Sequence, residues 1–302
     1  MKIALYGRIY KNSSLTYVQE LLDALEQVQA EIIIFKDYHN YLSGKVKIRS
    51  KVEVFSSSNE LIGVDYLCSI GGDGTLLDSV RLVQDKGIPI IGINMGRLGF
   101  LAGINKGNIK SAINSLIQGH YVIDQRTMLQ LEVESPLFED FHCALNETTI
   151  HQSISSSMIR VHTYLNGEFL NSYWADGLIV ATPTGSTGYS LSCGGPIIFP
   201  RSGNFVITPI SPHNLNVRPV IISDESVVTF EVESRAPHFN LSLDSRTVTL
   251  PLNTQIAVKK APFSLNLIRL SNENFLSTLR EKLMWGLDSR NSGVSDDDKT
   301  QH

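Results

Sequence analysis

The stretch Cys68-Ser69-Ile70-Gly71-Gly72-Asp73-Gly74-Thr75-Leu76-Leu77 decides how this chain is read. Val64-Asp65-Tyr66-Leu67 before it has the apolar character of a buried strand. From Thr75 to Lys86, apolar residues at Leu76, Leu77, Val80 and Val83 recur at a helical period. Three glycines and an aspartate therefore occupy a strand-to-helix turn. Glycine admits unusual backbone angles and lets another molecule approach the main chain. A helix start offers unpaired N–H groups and partial positive charge, which suits phosphate. A carboxylate in the middle of such a cradle makes sense if it faces the group that receives the phosphate, or a metal. A tight turn with Asp73 as a cap is the competing reading.

Around this turn, strands and helices alternate. Lys2 to Tyr6, Glu31 to Phe35, a short segment at Val52 to Phe55, the strand ending at Ile70, and Ile88 to Ile93 read as strands. Ser14 to Val28, Tyr38 to Arg49, the run from Thr75 and Asn108 to Gln118 read as helices. This alternation predicts an α/β domain over 1–124 with a parallel sheet. Ligands bind beyond the carboxyl ends of such strands, so Gly71 to Gly74 and Asn94 to Phe100 share one rim.

After residue 121 the pattern becomes short alternating runs, and Asn166-Gly167 marks a hairpin. Residues 125–271 read as an all-β, sandwich-like domain. A helical period returns over 272–288 with Phe275, Leu279, Leu283 and Trp285. This helix is a candidate to complete the first domain. The polar tail 291–302, with Asp296-Asp297-Asp298, is expected to be disordered.

At 302 residues, 42% hydrophobic and 19% charged, the chain can bury a substantial core. Its net charge of −4, without a long basic block, argues against nucleic acid or an anionic membrane as partner. No apolar run is long enough for a membrane helix, and the apolar part of the N-terminus is short for a signal peptide. The three cysteines, Cys68, Cys143 and Cys193, are scattered and without CxxC spacing. They support neither a disulfide framework nor a zinc site, and the cytoplasm is the expected compartment.

The second half carries a denser motif, from Asp176-Gly177 through Thr182-Pro183-Thr184-Gly185-Ser186-Thr187-Gly188-Tyr189 to Ser190-Leu191-Ser192. Its small hydroxyls and glycines allow a planar or phosphorylated ligand to lie close to the backbone. Tyr189 can stack on a base or donate through its hydroxyl. Asn146-Glu147 is a polar pair inside an apolar run, fit either for an edge strand or for hydrogen bonding. His213, in Ser211-Pro212-His213-Asn214, reads as a structural turn residue, whereas Arg97 could approach a phosphate or cap a helix.

Together, Gly71-Gly72-Asp73-Gly74-Thr75, Asn146-Glu147, Asp176-Gly177, the Thr182 to Thr187 block and Tyr189 resemble the NAD kinase family. Leu98-Gly99-Phe100-Leu101, Pro212 to Leu215 and Arg218-Pro219 add to the match. The glycine motif alone is shared with lipid kinases of the diacylglycerol type. The resemblance implies a phosphofructokinase-like first domain and ATP-dependent phosphorylation of the adenosine 2′-hydroxyl of NAD, giving NADP, so a phosphotransferase acting on an alcohol group. It implies a divalent metal, with Mg²⁺ expected and no dedicated protein cage assigned. It also implies a homodimer or homotetramer. By the same resemblance Asp73 is the catalytic base and Gly74 lies beside it. Gly71, Gly72, Gly74 and Thr75 hold donor phosphates. Asn146 and Glu147 bind the adenosine part, and Asp176 the nicotinamide side. Thr187, Gly188, Tyr189, Ser190, Leu191 and Ser192 line the dinucleotide site, with Asp244 and Arg246 near it. Trp174 stands where many bacterial members carry a basic residue, and Ser157 lies near a position sometimes occupied by arginine. A lipid kinase and a non-catalytic dinucleotide-binding regulator are the alternatives.

Overall fold

Long apolar strands separated by amphipathic helices fold here as a parallel sheet covered on both faces. The structure, a computed structural model, describes residues 1–8, 14–48, 51–96, 99–133, 138, 141–153, 158–270 and 274–284. The first half runs β1 (Lys2–Gly7), α1 (Leu15–Gln27), β2 (Glu31–Phe35), α2 (Lys36–Leu42), β3 (Glu53–Phe55), β4 (Tyr66–Gly71), α3 (Asp73–Val83), β5 (Ile90–Asn94), β6 (Ile104–Asn105) and α4 (Ile109–Ile117). Strands β1, β2, β4 and β5 are buried along nearly their whole length, as strands with helices on both faces must be. Val18, Leu21 and Leu25 of α1 share one core with Ala112, Ile113 and Leu116 of α4. Leu76, Val80 and Val83 of α3 belong to another. Helix α2 is shorter than its apolar pattern predicts, because Gly44 at φ +72° turns the chain out of the helix.

The parallel strands stand in the order β5-β4-β1-β2-β3. The chain leaves β1 toward β2 and β3, then returns to the other side for β4 and β5. Chain direction thus reverses between β1 and β4, and the crevice beyond their carboxyl ends is the natural ligand position. The Gly71 to Gly74 turn lies there.

The second half runs β7 (Tyr121–Val133), β8 (Cys143–Ala144), β9 (Glu147–Gln152), β10 (Ile159–Leu165), β11 (Glu168–Ala175), β12 (Gly177–Ala181), α5 (Tyr189–Ser192), β13 (Asn204–Ile210), β14 (Val220–Ser223), β15 (Val228–Glu233), β16 (His238–Leu243), β17 (Arg246–Pro251), β18 (Ile256–Leu270) and α6 (Phe275–Leu283). Asn166 (φ +53°) and Gly167 (φ +85°) make the expected hairpin between β10 and β11. A six-stranded antiparallel sheet, β14-β13-β12-β9-β16-β17, packs through Val180, Phe205 and Leu241 onto Leu129, Val161, Phe230 and Val258. Those last four residues belong to a twelve-stranded sheet that also contains the parallel strands.

Strand β18 joins the two halves. The runs at Ile256 to Lys259 and Leu265 to Ile268 are one 15-residue strand with a register shift between Lys260 and Ser264. Its first part pairs antiparallel with β15, and Leu267 pairs parallel with Ile90 of β5. Phe275 of α6 meets Phe100 at 6.5 Å and Phe199 at 5.1 Å between ring centroids, so α6 touches both halves. Trp285 and the tail 291–302 lie outside the described residues. No described helix is long and apolar enough to cross a membrane.

Because β18 spans both halves, Leu265→Ala should cost about 2–5 kcal/mol and lower the stability of β4 and β13 together. Peptide-resolved hydrogen exchange at rising urea checks this. Separate opening of β4 and β13 would show the halves to be independent.

Candidate functional site

β4 ends at Gly71, and α3 begins after the extended residue Gly72 with no side chain capping it. Its first-turn N–H groups are therefore placed to receive an anion. A Cβ on Gly72 or Gly74 would meet no atom within 4 Å. Packing does not require glycine at these positions; its effect is to leave bare backbone open to an approaching molecule. Gly71 accepts from the Met95 amide at 3.3 Å, and Thr75 is buried at the base of the helix.

Asp73 opens α3, and its carboxylate is bound by the chain that follows β5. Oδ2 accepts from the Phe100 amide at 2.7 Å, and Oδ1 from the amides of Leu101 and Ala102, each at 3.1 Å. A Cβ on Gly99 would lie 1.8 Å from Oδ1, so only glycine permits this approach. A carboxylate has about four acceptor positions. Three are occupied, and the remaining one is on Oδ2. Arg97 and Leu98, which the sequence placed on the same rim, lie outside the described residues, as does Ser157.

A second aspartate does the same for Asn146 and Glu147. The Asp244 carboxylate accepts from the amides of Leu145 at 2.9 Å, Asn146 at 2.8 Å and Glu147 at 3.1 Å. Burial raises its pKa and these three N–H bonds oppose that rise. Arg246 donates to the carbonyls of Phe141 at 2.5 Å and Cys143 at 2.6 Å. Both residues thus brace the loop from behind. Leu145 is fully buried in the core that holds Leu76 of α3, which ties this loop to the Asp73 helix.

Glu147 is the exceptional group. Its Oε2 is buried and has no hydrogen-bond partner among the described residues. Burial, reinforced by the charge of Asp244, pushes its pKa up to about 8. At neutral pH it carries a proton and can donate as well as accept. It points at Gly188, where a Cβ would lie 3.2 Å from Oε2 and 3.7 Å from Asn146 Nδ2. Asn146, Glu147 and Gly188 are therefore brought together.

The hydroxyls between these points mostly face inward. Thr182 Oγ1 donates to Leu145 O at 2.6 Å and accepts from the Gly185 amide at 3.1 Å. Ser186 Oγ donates to Pro183 O at 2.7 Å and accepts from the Ile198 amide at 2.9 Å. Ser190, expected to line the site, is fully buried and bonded to Thr208 at 2.8 Å. Gly185 lies so close to Asn146 that a Cβ would stand 2.1 Å from its carbonyl oxygen. Thr187, Gly188, Leu191 and Ser192 remain at least partly open, and the Tyr189 ring is 46% exposed. Asp176 accepts from Gln152 Nε2 at 3.1 Å. His213 stacks on Trp174 at 4.3 Å, consistent with a structural role.

Sequence reasoning missed Asp124 and Arg126. The nearly buried Arg126 binds Asp124 Oδ2 through Nε at 3.0 Å and a terminal nitrogen at 2.8 Å, and donates to Thr184 Oγ1 at 3.1 Å. Arg269 Nε reaches the same Asp124 oxygen at 2.7 Å. The i, i+2 spacing of Asp124 and Arg126 on one strand was the available signal.

Two outcomes follow from this geometry. Gly99→Ala should strip hydrogen-exchange protection from the amides of Phe100, Leu101 and Ala102, and retained protection would disprove the contact. The raised pKa of Glu147 means the folded state binds more protons than the unfolded state between the two pKa values. Its contribution to stability therefore falls as pH rises from about 4.5 to about 8. Glu147→Gln should remove a slope of up to about 1.4 kcal/mol per pH unit in that window, measured by urea unfolding of both proteins.

Comparison with known proteins gives one family. Residues 3–121 match the ATP-NAD kinase N-terminal domain, and residues 145–270 the ATP-NAD kinase C-terminal domain. The NAD kinase of Cytophaga hutchinsonii is 48% identical over 292 residues, covering 96% of this chain and 100% of the relative. That of Flavobacterium psychrophilum is 45% identical over 294 residues, again 96% and 100%. An Archaeoglobus fulgidus NAD kinase in complex with ATP superposes with a TM-score of 0.73 at 25% identity, covering 94% of this chain and 99% of that one. Yeast NADH kinase complexed with NADH shares the fold with a TM-score of 0.88 at 22% identity, covering 97% and 89%. With both family domains matched in order and nearly full-length relatives above 40% identity, the chain belongs to the NAD kinase family, and its reaction is phosphorylation of NAD.

Proposed function

We propose that the chain moves the γ-phosphoryl group of ATP to the 2′-hydroxyl of the adenosine ribose of NAD, with Asp73 as the group that receives the hydroxyl. The arrangement of Asp73 carries this reading: a carboxylate at an uncapped helix start, fixed by three amides, with one acceptor position left. In the reaction the 2′-oxygen bonds to the γ-phosphorus and the bridge to the β-phosphate breaks. ADP leaves, and the hydroxyl proton passes to Asp73. Such transfer depends on in-line positioning and charge stabilisation. A carboxylate with a reference pKa of ~4 orients the hydroxyl and takes its proton late, after bond formation has acidified it.

The α3 N-terminus with Gly72 and Gly74 receives donor phosphates. Asn146 and protonated Glu147 hold the adenosine part beside Gly188, and Asp176 with the open face around Tyr189 takes the rest of the dinucleotide. ATP as donor is supported by the Archaeoglobus relative bound to ATP. No cluster of three or more His, Cys, Asp or Glu able to hold a metal occurs among the described residues. One carboxylate beside a phosphate cradle suits a divalent ion, Mg²⁺, that arrives on the donor phosphates. Cytoplasmic residence and a homodimer or homotetramer complete the proposal. The net charge of −4 agrees with a partner set without nucleic acid or membrane.

Asp73→Asn should lower turnover on the order of 10³-fold while NAD affinity changes less than about tenfold. NADP formation, read with an NADP-specific dehydrogenase, and NAD calorimetry check this. Unchanged turnover removes Asp73 from the reaction.

A further inference from the structure

A cleft of about 560 Å³ opens beyond the carboxyl ends of β1, β2 and β3. Tyr6, Arg8, Phe35 and Ser56–Ser58 line it from the strand ends, and Arg81 lines it from α3. Nothing in the acceptor arrangement uses it, since Asn146, Glu147 and Gly188 belong to different elements. Its position is informative. Arg8 directly follows β1, whose last residue Gly7 is paired with Ile70 of β4, one residue before the Gly71 turn. The cleft therefore starts at the point of chain reversal, on the same rim as the phosphate cradle. Along α3, Asp78 is about 7.5 Å and Arg81 about 12 Å from Asp73 at helical rise. A molecule with phosphates on the first turn of α3 can extend its other end into this space.

The lining suits a nucleoside. Tyr6 and Phe35 pack edge-to-face at 5.1 Å and form an aromatic wall. Ser56 and Ser57 supply hydroxyls, both directed at Glu60, at 3.0 and 2.8 Å. Ser58 Oγ is buried without a hydrogen-bond partner among the described residues. An orphaned hydroxyl in a polar cleft is a place for a ligand atom. Two guanidinium groups, Arg8 and Arg81, line the cleft with one carboxylate, Asp78, which pairs with Arg8 and accepts from Tyr6 at 3.4 Å. That balance favours an anionic occupant. The far wall includes Phe141, whose carbonyl is held by Arg246. Arg246 thus supports this wall as well as the loop that leads to Asn146.

We propose that this cleft seats the base and ribose of the nucleoside triphosphate donor while its phosphates lie on the Gly72 to Gly74 backbone. The proposal rests on the kinase reading above and adds where the donor's nucleoside end goes. It makes the cleft a determinant of donor choice, separate from the NAD site.

The test uses the full chain and two exposed positions outside the reacting groups, Ser56→Tyr to fill the cleft and Arg81→Glu to reverse its charge. NADP formation is followed while ATP, GTP and CTP are varied at saturating NAD, and then NAD is varied at saturating ATP. Melting curves confirm that both variants fold. The expected result is an ATP KM raised about tenfold or more, an altered ratio of kcat/KM between ATP and CTP, and an NAD KM within about twofold of the parent. Parent-like ATP KM and donor ratio in both variants would overturn the proposal, as would an NAD KM that rises in step with the ATP KM. Failure of the parent chain to make NADP from any nucleoside triphosphate would instead sink the ATP-dependent reading itself.

Discussion

A loop buried against a core must find acceptors for its amides, and here two aspartates meet that need. Asp73 takes the amides of residues 100–102, and Asp244 those of residues 145–147. In each case one ionisable side chain replaces the ladder a strand would have provided. Leaving such amides unpaired would cost ~1–3 kcal/mol each, so neither loop can shift without losing several bonds at once. The two clasps have different consequences. Asp244 spends its carboxylate on the loop and, at φ +49°, holds a strained backbone to reach it. Asp73 retains one acceptor position at the start of a helix, and that residual capacity gives the turn its chemistry.

The Thr182 to Thr187 block follows the same logic. Its many hydroxyls suggest a surface for hydrogen bonding a ligand, yet Thr182 and Ser186 bond the loop to its own neighbours, and Thr184 accepts from buried Arg126. Their effect is to bring Gly185 against the Asn146 backbone, closer than any side chain would allow. Ligand recognition then falls to few groups: Asn146, protonated Glu147, Asp176 and the open ring of Tyr189. A ground state with Glu147 buried and unpaired is costly in isolation. A polar ligand group that pairs with it recovers that cost, so affinity for the acceptor is partly stored in the free protein.

Strand and helix alternation made the parallel sheet legible, because period and burial are local properties. The glycine turn and the Thr-Pro-Thr-Gly-Ser-Thr block were legible as motifs, and the family followed from them. What sequence could not give was the partner of each polar group. Ser190 stands inside the motif that suggests ligand contact, but the pleat and α5 turn it inward to Thr208. Gly99 looked like a minor match until its distance to Asp73 was visible. The union of Ile256 to Lys259 with Leu265 to Ile268 was hidden by the polar and proline-containing interval between them, where the register shift lies. Asp124 and Arg126 were missed because a buried ion pair resembles an exposed strand face when only alternation is read.

Phosphoryl transfer needs donor, acceptor and carboxylate aligned closely, since a small misplacement costs much of the rate. The residues assigned to these tasks lie far apart in the chain, at 71–75 and 146–189. Two features of the fold hold them in register. Strand β18 belongs to the same sheet as β5 and as β15, so both halves share hydrogen-bonded backbone. Leu145, adjacent to Asn146, shares a core with Leu76 of the Asp73 helix. Close-packed interiors transmit displacement instead of absorbing it. Alignment between the Asp73 turn and the Asn146 loop is therefore a property of the folded core, set before either substrate arrives. Substrate binding needs only to fill the open acceptor position on Asp73 and the unpaired oxygen of Glu147.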